Sequence, residues 1–160
     1  MVALLRLGDR NAMTYRVRSA EQRRAEIQAR AAAMGIDEAF ISNLVETFYT
    51  RVRAHDRLGP IFGQAIEDWD EHLPKMKDFW SSVAMNTGRY SGKPVPAHQK
   101  LTGVAKEDFA VWLGLFEETV RDLAPTDDVV PYFMERAQRI AESLKLAMFS
   151  IPGLQKSGLS

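Results

Sequence analysis

The chain has 160 residues and no Cys, with 21 Lys+Arg balanced by 21 Asp+Glu, 46% apolar residues and 26% charged ones. At this length folding buries roughly 70% of the surface that the unfolded chain exposes, which suits one domain with a core that needs no disulfides. The lack of Cys excludes disulfide scaffolds, iron–sulfur clusters, thiolate-held metals and thiol nucleophiles, and zero net charge argues against a nucleic-acid partner.

Charge is unevenly spread. Residues 1–33 carry seven Arg and three acids, so residues 1–35 are expected to form an Arg-rich extension, poorly ordered at first and helical from about Ser19 to Met34. Apolar runs are too short to cross a bilayer and there is no apolar signal core, so a cytoplasmic location without membrane attachment is expected.

From Ile36 onward apolar residues recur at helical spacing with no sustained period of two, which predicts an all-α fold. Ile41, Leu44, Val45, Phe48 and Val52 mark a first helix that Gly59-Pro60 is expected to close. Leu73, Met76, Phe79, Trp80 and Val83 mark a second, with Asp68, Asp70 and Glu71 suited to its start. Residues 87–97 hold two Gly and two Pro, so a loop ending in at most a helical turn should deliver His98. Phe109, Trp112, Leu113, Phe116, Val120 and Leu123 mark a third helix, stopped by Pro125. Val130, Phe133, Ala137, Ile140, Leu144 and Met148 mark a fourth, stopped by Pro152. Residues 153–160 read as a frayed tail, leaving a domain over 36–152. Two antiparallel helix pairs around an irregular middle loop make a small helical sandwich.

Three His are present, at 55, 72 and 98. His55 ends the first helix, where an imidazolium complements the helix dipole, and reads as solvated surface. His72 opens a helix whose inner face is Met76, Phe79 and Trp80, and His98 is presented from the far side. Two imidazoles across an aromatic-lined slot suit a haem iron. A lone His beside apolar residues is more often an ordinary hydrogen-bonded side chain, so spacing by itself leaves both readings open.

Phe48-Tyr49, Leu58-Gly59-Pro60-Ile61-Phe62, His72, Phe79-Trp80, Gly88-Arg89-Tyr90-Ser91-Gly92-Lys93-Pro94, His98 and Trp112-Leu113-Gly114-Leu115-Phe116, in this order and spacing, resemble the group III truncated haemoglobins, a bacterial globin family. The resemblance spans Ile36 to Ile151. It implies a two-on-two helical sandwich around a non-covalent haem b, with His98 as the proximal iron ligand and Tyr49, His72 and Trp112 forming a polar distal pocket. It further implies that Phe62 wedges against the porphyrin. Met76, Phe79, Trp80, Phe116, Phe133 and Ile140 are spaced to line the macrocycle, though residues at such spacing are core residues with or without a cofactor, and Arg89, Tyr90 and Lys93, in the loop before His98, are placed either to meet the haem propionates or to form a solvated loop. Pro74 departs from the family pattern. If the helix begins near Asp70, His72 keeps its inward direction; if it begins earlier, His72 swings out to the haem edge.

The function so implied is reversible binding of dioxygen or another diatomic ligand at a penta-coordinate iron, in a monomer or weak homodimer. Detoxification of nitric oxide or peroxide would need an external reductase, because the chain carries no Gly-rich phosphate loop of its own. The competing reading is a haem-free helical bundle that serves as an interaction module.

Overall fold

The computed structural model describes residues 19–99 and 101–149. Among these residues there are seven helices and no strand: α1 over residues 19–34, α2 Glu38–Ala54, α3 Leu58–Ala65, α4 Trp69–Met85, α5 Pro94–Gln99, α6 Asp108–Leu123 and α7 Val129–Phe149. No helix among the described residues is long and apolar enough to cross a membrane.

Local chemistry sets the helix ends. Gly35, at φ +89°, ends α1, and the amides of Gly35 and Ile36 donate to the carbonyls of Ala32 and Ala31, the paired bonds of a left-handed helix stop. Asp37 caps α2 by accepting from the Phe40 amide at 2.8 Å, and Asp68 caps α4 by accepting from the Glu71 amide at 3.2 Å. Such a cap contributes about 1 kcal/mol. Asn86 ends α4 in the left-handed region at φ 54°, where Asn is tolerated better than most residues.

The turn expected at Gly59-Pro60 is instead part of α3. Pro60 stands third in that helix, where a missing amide hydrogen breaks no intrahelical bond. Gly59 is needed for proximity, since a Cβ there would lie 2.8 Å from the Arg53 carbonyl oxygen. His55 also differs from the expectation of a solvated cation. It is half-buried at the end of α2, and its Nδ1 accepts from the amides of Arg57 at 3.1 Å and Leu58 at 3.2 Å. An acceptor nitrogen carries no proton, so the ring starts α3 rather than balancing α2.

Helices α2 and α4 form one layer and α6 and α7 the other, with α2 packed on α6 to join them. Their seam is aromatic. Phe116 stacks on Trp80 at 4.7 Å and on Trp112 at 5.3 Å, while Phe48 meets it edge-on at 5.1 Å. Phe133 closes the stack from α7. The core also takes in Ala31 and Met34 of α1, and Thr126 donates to the Met34 carbonyl at 3.0 Å. Apolar packing therefore crosses the boundary expected between residues 35 and 36. Residues 1–18, Pro152 and the tail over 153–160 lie outside the described residues.

Candidate functional site

Between the layers lies a cavity that opens to solvent, with about 910 Å³ of unfilled space when its mouth is included. Every surrounding element contributes: Tyr49 from α2, Ile61 and Phe62 from α3, Met76, Phe79 and Trp80 from α4, His98 from α5, Trp112 from α6, and Ile140 and Leu144 from α7. The walls are overwhelmingly apolar and aromatic, so they exclude water and favour a flat, greasy occupant.

His98 is the main polar feature of one wall. It sits in α5, a single short helix opened by Pro94, whose fixed φ suits a first helical position. Its Nδ1 lies 2.6 Å from the Pro94 carbonyl oxygen. A carbonyl can only accept, so Nδ1 carries a hydrogen, and Nε2 is the ring nitrogen left to ligate a metal. Gln99, the next residue, donates to the Ala147 carbonyl at 3.2 Å and ties α5 to α7.

A second polar group gathers where α2 meets α4. The ring of Tyr49 is met edge-on by His72 at 5.5 Å and at a tilt by Trp69 at 5.6 Å, and Trp69 and His72 are 5.7 Å apart. The Arg53 guanidinium lies 4.7 Å from the Trp69 ring centre, an attractive cation–π placement. Burial pushes the Tyr49 phenol well above its usual range, so it stays protonated and able to donate. Burial lowers the pKa of His72, and the like charges of Lys75 and His98 lower it further. Its Nε2 is buried without a hydrogen-bond partner among the described residues, an arrangement that costs about 1–3 kcal/mol until a partner arrives. Helix α4 begins at Trp69, close to the start near Asp70 that keeps His72 turned inward, and Pro74 is accommodated inside the helix.

A group 3 truncated haemoglobin of Campylobacter jejuni is 34% identical to this chain over 122 residues, which cover 74% of this chain and 95% of that protein. The chain belongs to the group III truncated haemoglobins. The crystal structure of a group III truncated haemoglobin from Campylobacter jejuni matches with a TM-score of 0.68 over 74% of this chain and 95% of that one, again at 34% identity. No family model matches.

In this truncated haemoglobin, the cavity brings together Tyr49, Phe62, Met76, Phe79, Trp80, Tyr90, His98, Trp112 and Ile140 of the residues singled out from sequence. Others stand elsewhere. His72 meets the Tyr49 ring edge-on, beside the residues that line the cavity, and Phe116 and Phe133 are buried core residues. Arg89 is ion-paired with Glu38 on the surface and does not line the cavity. Lys93 is exposed on the loop before α5 and does not line the cavity.

The largest omission from the sequence reading is Asp108, which lines the cavity and is buried. Arg57 donates to both its carboxylate oxygens at 2.7 Å, and the Ala105 amide adds a third bond at 2.7 Å. These donors, Arg57 first, hold the Asp108 carboxyl below the usual carboxylate range against the opposing effect of burial. Its one sequence signal is position: Asp108 precedes Trp112 by four residues, on the same face of α6.

Proposed function

We propose that the cavity holds haem b with His98 as its axial ligand, and that the protein reversibly binds dioxygen or another diatomic molecule on the side facing Tyr49, His72 and Trp112. The reading rests chiefly on the His98–Pro94 bond, which occupies Nδ1 and leaves Nε2 as the ring nitrogen available within an apolar slot. No cluster of three or more His, Asp or Glu capable of holding a metal occurs among the described residues. A porphyrin brings most of its iron's ligands itself, so a single protein ligand such as His98 suits it. When bound, the haem supplies an iron atom able to take up such a diatomic molecule.

The protein side follows from the residues. Phe62, Met76, Phe79 and Trp80 exclude water, which slows loss of the reduced state. Tyr49 and Trp112 supply O–H and N–H donors, and the indole cannot accept, so a partner that gains negative charge is favoured over a less polar one. His72, whose pKa burial lowers, stands against Tyr49 with an unfilled bond. Tyr90 on the cavity wall is suited to a propionate. Strong donors favour slow release, which suits nitric oxide or peroxide detoxification with an external reductase better than delivery. Residues 36–152 are taken as the globin unit.

The visible spectrum of the purified protein, with and without added hemin, tests this. An intense Soret band that is lost in His98→Ala is the expected result. A colourless protein that hemin leaves unchanged would favour the haem-free bundle.

A further inference from the structure

The wall that carries His98 has little apolar anchorage. Helix α5 has no buried residue, and the segment after it reaches α6 as an irregular stretch over residues 101–107. Two of its residues, Leu101 and Val104, line the cavity. What fixes this stretch is a polar junction. Arg57 grips both oxygens of Asp108 at 2.7 Å and donates to the Gly103 carbonyl at 3.0 Å, while Asp108 accepts from the Ala105 amide at 2.7 Å. Arg57 is itself held at the α2–α3 corner by His55, whose Nδ1 accepts from its amide.

The geometry points to Arg57 and Asp108 as positioning residues for the His98 wall, a clamp that retains haem without touching the iron ligand. One ion pair joins three parts of the site: the corner after the helix bearing Tyr49, the stretch after His98, and the first turn of the helix bearing Trp112. The Asp108 side chain is 9% exposed against 50% for Arg57, so the carboxylate has little water to fall back on. A paired, two-point, charge-assisted bond of this kind is both stronger and more directional than a surface ion pair. Without it, residues 101–107 lose their link to the helical frame, and the wall opposite Tyr49 can open.

The inference rests on the haem reading above. Its test is the rate at which hemin leaves the reconstituted protein for an excess of a high-affinity apoglobin, measured for wild type, Asp108→Asn, Arg57→Lys and Arg51→Gln. Arg51 is the control, because its 2.8 Å pair with Asp122 also joins α2 to α6 but lies away from the cavity. Hemin loss is expected to be about tenfold faster in Asp108→Asn, the scale of one lost charged hydrogen bond. Arg57→Lys, which keeps the charge but not the fork, should fall between Asp108→Asn and wild type, and Arg51→Gln should match wild type. The iron–histidine stretching band in the reduced protein should broaden or shift in the two clamp variants alone, a change that mere loss of stability does not produce. If Asp108→Asn does not fold, Arg57→Lys carries both measurements. Clamp variants with the wild-type rate and an unmoved band, or a control that loses hemin as fast as they do, overturn the clamp. A wild-type protein that takes up no hemin sinks the haem reading, and the clamp with it.

Discussion

Two walls face each other across the cavity, and different forces hold them. The inner wall belongs to α2, α4, α6 and α7, where Phe48, Phe116, Phe133, Val52 and Val120 are almost wholly buried and the rings of Trp80, Phe116 and Trp112 lie in a stack. The outer wall is α5 with its flanking stretches, tied to the frame by polar bonds: Gln99 to Ala147, Gly103 to Arg57 and Ala105 to Asp108. Apolar burial is cooperative and indifferent to direction. Isolated polar ties give a region of low local stability, whose order depends on what fills the space it encloses. The helical frame can thus fold first and the ligand-bearing wall settle upon it.

The largest expected effect comes from His98→Ala, which should abolish the Soret band of the hemin-treated protein while leaving the helix content of the apoprotein, read by far-ultraviolet circular dichroism, unchanged. A loss of helicity as well would make α5 part of the frame and erase the contrast. Phe116→Ala strikes the other wall. Removing a fully buried ring should cost about 3–5 kcal/mol in urea unfolding of the apoprotein, and a cost near zero would mean the stack is not what holds the layers.

That asymmetry also explains what could be read from sequence. The helices of the frame announce themselves through residues such as Ile41, Leu44, Phe48 and Val52, because burial on one face imposes a period. Tyr49, Phe79, Trp80 and Trp112 follow from the same helices once the family pattern is seen. The short α3 is hidden because Gly59-Pro60 looks like a stop, although Pro60 falls where no amide is needed and Gly59 where the backbone of Arg53 comes close. Arg89 pairs with Glu38, 51 residues away, a partner that no local pattern marks. The Arg57–Asp108 pair spans 51 residues, and no local pattern marks a bond of that reach.

Smaller effects test the polar faces. Tyr49→Phe keeps the ring and Trp112→Phe keeps a smaller aromatic one, and each deletes a donor, so dioxygen dissociation from the reconstituted protein should quicken several-fold, the consequence of about 1 kcal/mol or more per bond. Unchanged stopped-flow rates would mean that neither donor reaches the ligand. Acid sensitivity should be smaller still. The folded state lowers the pKa of His72, so the stability linked to its neutral form is present above the usual histidine range and is lost as pH falls through the lower folded value. His72→Gln should flatten the decline of the apoprotein's urea midpoint on that side of neutrality; a decline identical to wild type would assign the acid response to other groups.

The chain contains three tryptophans, and their placement has an optical consequence. Trp80 and Trp112 form part of the cavity lining, and Trp69 leans on Tyr49, which also borders that space. A strongly absorbing pigment seated there would drain the excited state of all three indoles at once. The protein's own ultraviolet emission is therefore a gauge of occupancy that requires no attached dye, bright when the space is vacant and dark when it is filled.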